Sequence, residues 1–293
     1  MKKIITSIIL ASIISASGYV LAAEKIALNY NIIPDIANGY VIDSSHTNHI
    51  TFSLFENENE LYYNNQILKI ENNKFSIPLA GLSGKSKFTI TNSSGESVEY
   101  TYYISDKNGY LAGYTFDEMK DSKNKVFIKT VKNISIIYTN VEEKSVKEIE
   151  KIILSLPDKL LSNLSEIKLI PAKHESKAAG ITKYDKITLY KISSYSKSTI
   201  KNIVIHEIAH TWAYDLMQDK ILDFSYTDYR QAVNSDKKYP SKYAEENVRT
   251  GDYSEDFAES VSFYLISEKS FNKKYPSRAN YIKNILNKWK ILY

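Results

Sequence analysis

The sequence predicts an α+β protein in two parts: an N-terminal all-β sandwich of immunoglobulin-like type, then a mixed α+β domain. Three observations carry this. Short alternating strand patterns separated by turn residues recur from residue 24 to about 116. Beyond about residue 125, strand patterns are interspersed with helical ones. One helical stretch there, Lys201 to Met217, is strongly apolar yet carries two histidines and a glutamate.

Residues 1–23 read as a secretory signal peptide. Lys2-Lys3 is the basic start, and Ile4 to Ile14 is apolar but broken by Thr6, Ser7 and Ser12. Small residues invite cleavage after Ala22 or Ala23. The run is short for a bilayer span, so a secreted, extracellular protein is expected, with no integral membrane association after cleavage. The chain has no cysteine, which excludes disulfides, a lipoprotein anchor, thiolate metal sites and a thiol nucleophile. The formal charge is +4, of which the leader supplies two as Lys2 and Lys3. With no dense basic tract, nucleic acid is not an expected partner.

The first domain spans 24–116. Ile26 to Tyr30 opens it; Glu60 to Tyr63 and Gln66 to Ile70 flank an Asn64-Asn65 turn. Lys85 to Thr91 puts Phe88 and Ile90 on one face, and Asn92 to Gly95 turns the chain into Val98 to Ile104. Such a module serves as a spacer or chaperoning domain, or binds a surface or a substrate. Tyrosine, at 24 residues against 10 phenylalanines, suits strands with one wet face or a groove that grips peptide or sugar. That abundance also makes any single tyrosine weak evidence.

A polar linker at 117–125 leads into the second domain, 126–293. Val126 to Ile128, Ile134 to Tyr138 and Ile167 to Ile170 read as strands. Between them Ser145 to Leu161 has helical spacing, with Pro157 bending or ending it. Ile187 to Tyr190 is a further strand after a turn at Asp185, and Phe271 to Tyr293 a last helix, with Tyr281, Ile282, Ile285, Leu286 and Trp289 on its apolar face.

The chemistry centres on His206-Glu207-Ile208-Ala209-His210. Histidines four apart leave one face of a helix one turn apart, where both imidazoles can meet a tetrahedral zinc ion. Glu207 projects beside them, placed to take a proton from water that the zinc activates. His and Glu are costly on a buried helix unless something uses them. No histidine follows His210, and the others upstream are His46, His49 and His174. The third ligand is therefore a carboxylate or an upstream residue. Ala213 and Leu216 stand where a third-histidine pattern needs Gly and His.

Tyr253 to Ser260 supplies the carboxylate. It opens a helix with Ser254 as N-cap, and Glu255 and Glu259 share one face a turn apart. One binds zinc while the other orients a histidine or the ligand; spacing alone does not choose between them.

The pairing of His206 to His210 with Glu255-Asp256-Phe257-Ala258-Glu259-Ser260 resembles the zinc peptidases of the anthrax lethal factor and clostridial Pro-Pro endopeptidase type, which are gluzincin-like. The resemblance covers about residues 125 to 293. It implies a zincin-like catalytic domain around the HExxH helix and one catalytic zinc ion held by His206, His210 and Glu255, with Glu259 in support. It further implies a protein or peptide substrate. Members carry a tyrosine that donates to the oxyanion; the usual offset falls on Val248 here, so Tyr243 is favoured and Tyr253 is the alternative. Thr250-Gly251-Asp252-Tyr253 is loosely similar to a segment that supplies an aspartate ligand elsewhere, which keeps Asp252 as a weaker ligand candidate.

The expected reaction is zinc-dependent hydrolysis of peptide bonds, with Glu207 as general base and a peptide pairing along an edge strand from Asp185 to Ile192. The competing expectation is a weak or inactive module of the same fold that binds a surface protein or glycan through the β domain.

Overall fold

The computed structural model describes residues 31–36, 40–55, 60–116, 124–174 and 178–288. The leader, the Ile26 to Tyr30 strand, most of the 117–125 linker and Trp289 lie outside the described residues. Among the described residues the architecture is mixed α+β, with three sheets and seven helices.

The first eight strands are β1 (Ile32–Pro34), β2 (Val41–Ile42), β3 (His49–Leu54), β4 (Leu61–Tyr63), β5 (Gln66–Ile67), β6 (Lys74–Pro78), β7 (Gly84–Asn92) and β8 (Ser97–Ile104). They form a β1-β3-β6 sheet and a β2-β8-β7-β4-β5 sheet. The Asn64-Asn65 turn forms as expected, both residues at positive φ (51° and 61°), the backbone that a tight hairpin demands and asparagine tolerates. On β7, Phe88 and Ile90 are fully buried while Lys87 and Thr89 face solvent.

The chain divides into two compact units. The first takes the described residues of Met1–Asn38, Ile50–Ile77 and Phe88–Tyr100. Its core stacks Phe52 on Phe75 at 5.0 Å, and Tyr100 donates its hydroxyl to the Ile32 carbonyl at 2.8 Å. The second takes Gly39–His49, Pro78–Lys87 and Thr101–Tyr293. Residues 39–49, 78–87 and 101–116, which strand spacing assigns to the first domain, therefore group with the second unit. Packing explains part of this: Val41, Leu111 and Phe116 share a core with Ile128, Ile137 and Ile170. The buried Asp43 carboxylate also accepts the Thr130 N–H at 2.9 Å.

The sheet of the second unit comprises β9 (Phe127–Val131), β10 (Ile134–Tyr138), β11 (Glu166–Ile170), β12 (Gly180–Lys183) and β13 (Lys186–Tyr190), in the order β12-β13-β11-β10-β9. β10, β11 and β13 run parallel, and β9 and β12 are antiparallel edges. The expected edge strand is thus displaced. Ile187 to Tyr190 lies inside the sheet, because Tyr184 takes a left-handed turn (φ 57°) and folds Gly180–Lys183 outside it.

Helix α1 (Glu143–Ser155) links β10 to β11; Pro157 ends it, and a 3-10 turn follows at Asp158–Leu161. Helix α2 (Lys197–Gln218) starts at Ser196, whose hydroxyl accepts the Thr199 N–H at 3.2 Å. The remaining helices are α3 (Thr227–Asp236), α4 (Lys242–Arg249), α5 (Ser254–Ile266), α6 (Glu268–Lys274) and α7 (Pro276–Lys288). The single last helix expected from Phe271 is two, parted at Tyr275-Pro276, where proline suits a first helical position but not an interior one. Helix α2 packs against α1, α5 and β12, and its Val204, Ile208 and Trp212 are buried with Ile167 and Leu189 of the sheet and Phe257 of α5.

Between α5 and α7 lies a buried charge network. Arg278 grips Asp256 with two parallel bonds, Nε to Oδ1 at 2.8 Å and Nη2 to Oδ2 at 2.9 Å, and reaches Asp236 Oδ2 at 3.2 Å. Tyr229 donates to Asp256 Oδ1 at 2.6 Å. All four side chains are essentially out of solvent.

Candidate metal centre

Helix α2 carries its two histidines on one side, rings 4.8 Å apart and nearly perpendicular. Their Nε2 atoms lie 3.2 Å apart. Glu255, in the first turn of α5, brings Oε2 to 3.1 Å from His206 Nε2 and 3.5 Å from His210 Nε2. The triangle has a chemical meaning: an ion bound tetrahedrally at about 2.0–2.1 Å keeps its ligand atoms about 3.3–3.4 Å apart. His206, His210 and Glu255 are thus a group that could hold a metal ion. Burial alone would raise the Glu255 carboxyl pKa. Hydrogen bonds to and charge on both histidines outweigh that and hold it well below the ordinary range. For His206, burial works against the charged form, but the Glu255 bond and the charges of Glu207, Glu255 and Glu259 raise its pKa.

A cleft of about 750 Å³ opens over these atoms, and Glu207, Tyr243, Asp252 and Glu259 also line it. Glu207, 6% exposed, lies beside the ligand atoms without joining them. Tyr243, in the first turn of α4, is 55% exposed. Its hydroxyl pKa is raised by burial and by the charge of Glu255, with Glu207 contributing.

Other expectations resolve differently. Tyr253 packs against the core under the Arg230 guanidinium, 4.6 Å from its ring centre, and does not line the cleft. Asp252 stays outside the ligand group; its Oδ1 accepts from Ser254 N at 2.9 Å and Ser254 Oγ at 2.6 Å. Ser254 is thus already the first helical residue and not the N-cap; Tyr253 holds that position without a side-chain cap bond, and Asp252 takes the first helical N–H. Glu259 Oε1 accepts the Ser241 hydroxyl at 2.8 Å in place of orienting a histidine, while its Oε2 is buried without a hydrogen-bond partner. Burial raises its carboxyl pKa. Ser241 Oγ also accepts the Ala244 N–H at 3.1 Å, which caps α4.

Two further contributors line the cleft, of which the sequence signals only the small residues Ala178-Ala179-Gly180, as room for close approach. Tyr226 lines the cleft, is 7% exposed and holds a left-handed backbone (φ 53°), which is strained for an aromatic residue. Strand β12 forms another wall through Gly180, Ile181 and Thr182. Glu207, Asp252, Glu255 and Glu259 line this cleft, and among the described residues no lysine or arginine does. No protein-family model and no curated protein matches the chain, so the geometry of this centre carries its functional reading.

Proposed function

We propose that the protein is a secreted zinc-dependent endopeptidase. In this reading the second unit contains a zincin-type, gluzincin-like catalytic domain of the lethal-factor and Pro-Pro endopeptidase kind, and strands β1 to β8 make up an immunoglobulin-like sandwich. The observation that carries it is the convergence of two Nε2 atoms and one carboxylate oxygen at tetrahedral spacing, with a separate buried glutamate in the same cleft.

Zinc bound by His206, His210 and Glu255 would supply Lewis acidity and make water nucleophilic near neutral pH. Glu207 accepts the proton of the attacking water and returns it to the leaving amine. The Tyr243 hydroxyl donates to the carbonyl oxygen, which becomes negative as its carbon turns tetrahedral. β12 receives the substrate backbone. Tyr190 N–H bonds the Ala179 carbonyl at 2.9 Å, so alternation along this antiparallel pair turns the main-chain groups of Gly180 and Thr182 toward the open edge. An extended peptide pairs there by main-chain bonds, as strand addition requires.

Purified mature protein is expected to bind one zinc ion per chain and to cleave members of a random peptide library. Chelation should abolish cleavage and added zinc restore it. Stoichiometric zinc with no cleavage of any library member would overturn the reading. Tyr243→Phe is expected to lower kcat by about a hundredfold with zinc content unchanged, the cost of one oxyanion donor. Zinc loss in parallel would instead assign the tyrosine a structural part.

A second reading, a binding module with little or no turnover, draws on the first unit. There a recess of about 550 Å³ is lined by Tyr62, Asn64, Asn65, Thr89 and Thr91, side chains suited to sugar or peptide polar groups. Glycan-array binding by a protein inactive on peptides would favour it.

A further inference from the structure

Glu207 is held from β12 on two sides. Thr182 donates its hydroxyl to Glu207 Oε2 at 2.6 Å, and the same hydroxyl lies 3.1 Å from the Glu207 main-chain oxygen. Two residues along the strand, on the same face, Gly180 meets the other carboxylate oxygen. A Cβ at Gly180 would stand 2.5 Å from Oε1 and 2.7 Å from both Cδ and Cγ. Gly180 does not occupy the left-handed region, so its backbone does not call for glycine; the space taken by the glutamate does. One carboxylate oxygen is thus fixed by a hydroxyl and the other lies flat against a residue with no side chain.

We propose that Gly180 and Thr182 form the seat that orients Glu207, with Thr182 its positioning residue. The inference rests on the peptidase reading for its kinetic consequence. The Thr182 bond occupies Oε2 and stops the side chain turning away, which leaves Oε1 to receive a proton. The arrangement has a second consequence. Gly180 and Thr182 are also the residues whose main-chain groups face the open edge, so a peptide paired there is registered against the same two residues that hold the base. Substrate backbone and proton acceptor therefore share one support.

The test compares Thr182→Val, which keeps the shape and removes the donor, with Thr182→Ser, which keeps the donor, and with Gly180→Ala. Peptide kinetics, zinc per chain and crystal structures of all four proteins are measured. Thr182→Val is expected to lose about 10–100-fold in kcat, the usual cost of an outer-shell partner, with zinc unchanged and KM within about threefold. Thr182→Ser should stay within about threefold of wild type, and Gly180→Ala should fall at least as far as Thr182→Val. In the structures the Glu207 carboxylate should move in Thr182→Val and Gly180→Ala and stay in Thr182→Ser. The proposal is overturned if Glu207 is unmoved in Thr182→Val, or if Thr182→Ser fails as badly as Thr182→Val. Zinc loss that tracks the fall in kcat overturns it too. A wild type that cleaves no peptide refutes the peptidase reading alone, because the carboxylate positions still decide whether the seat exists.

Discussion

Glu207→Gln is expected to lower kcat for peptide cleavage by about 10²–10⁴-fold while leaving metal content unchanged. The size follows from the role: an amide of the same shape cannot accept a proton, so the step that makes water nucleophilic loses its acceptor. The selectivity follows from the geometry. Glu207 is not one of the three converging ligand atoms, so the metal-holding group survives its neutralisation. The carbonyl oxygen of glutamine can still accept the Thr182 hydroxyl, so the variant should fold and keep its packing. Steady-state kinetics with metal analysis on the same preparations decide the matter. A variant that retains more than about a tenth of wild-type kcat would remove Glu207 from the chemistry, since even weak general-base contributions exceed that.

Arg278→Ala is expected to destabilise the protein by about 3–5 kcal/mol, because it strands buried carboxylates. Arg278 is fully buried and bonds both oxygens of Asp256 and one of Asp236, themselves out of solvent. Deleting it leaves Asp256 with the Tyr229 hydroxyl as its remaining side-chain donor. Urea unfolding at neutral pH gives the magnitude; a loss below about 1 kcal/mol, the range of exposed pairs, would contradict the burial seen here. Asp256 follows Glu255 in the first turn of α5, so slackening this anchor should also weaken metal binding. Replacing the whole network with apolar residues of similar volume would cost far less than removing one member, since no charge is then left unpaired.

What could be read in advance depended on whether a residue's partners lay on its own helix. His206, Glu207 and His210 share one turn of α2, so spacing alone aligned them. Glu255 was legible as one of two carboxylates on one face, and three-dimensional proximity now separates it from Glu259, which reaches Ser241 instead. Gly180 and Thr182 were not legible as a seat, because a glycine and a threonine on a distant strand carry no chemical signature until the strand lies against α2. The edge strand was misplaced for a related reason: the turn at Asp185 was legible, but the four residues before it, Gly180–Lys183, are too short a run to announce a strand that pairs outside Ile187 to Tyr190. Tyr226 was hidden among the other tyrosines. The existence of α1 and α2 was read from burial periodicity, a local property, but not all their ends: α1 stops at Ser155, short of the expected Leu161, and α2 starts at Lys197, ahead of the expected Lys201.

The hydroxyl of Ser241 has a consequence for how this chain can vary. It begins α4 and donates to Glu259 on α5, so two helices are tied together by side chains across the turn Thr250 to Tyr253. The position of Tyr243 is then set by that tie and not by the number of residues before Glu255. Counting along the chain is a poor ruler for such a residue. A residue added in the turn would leave that tie, and with it the wall that Tyr243 forms, in place.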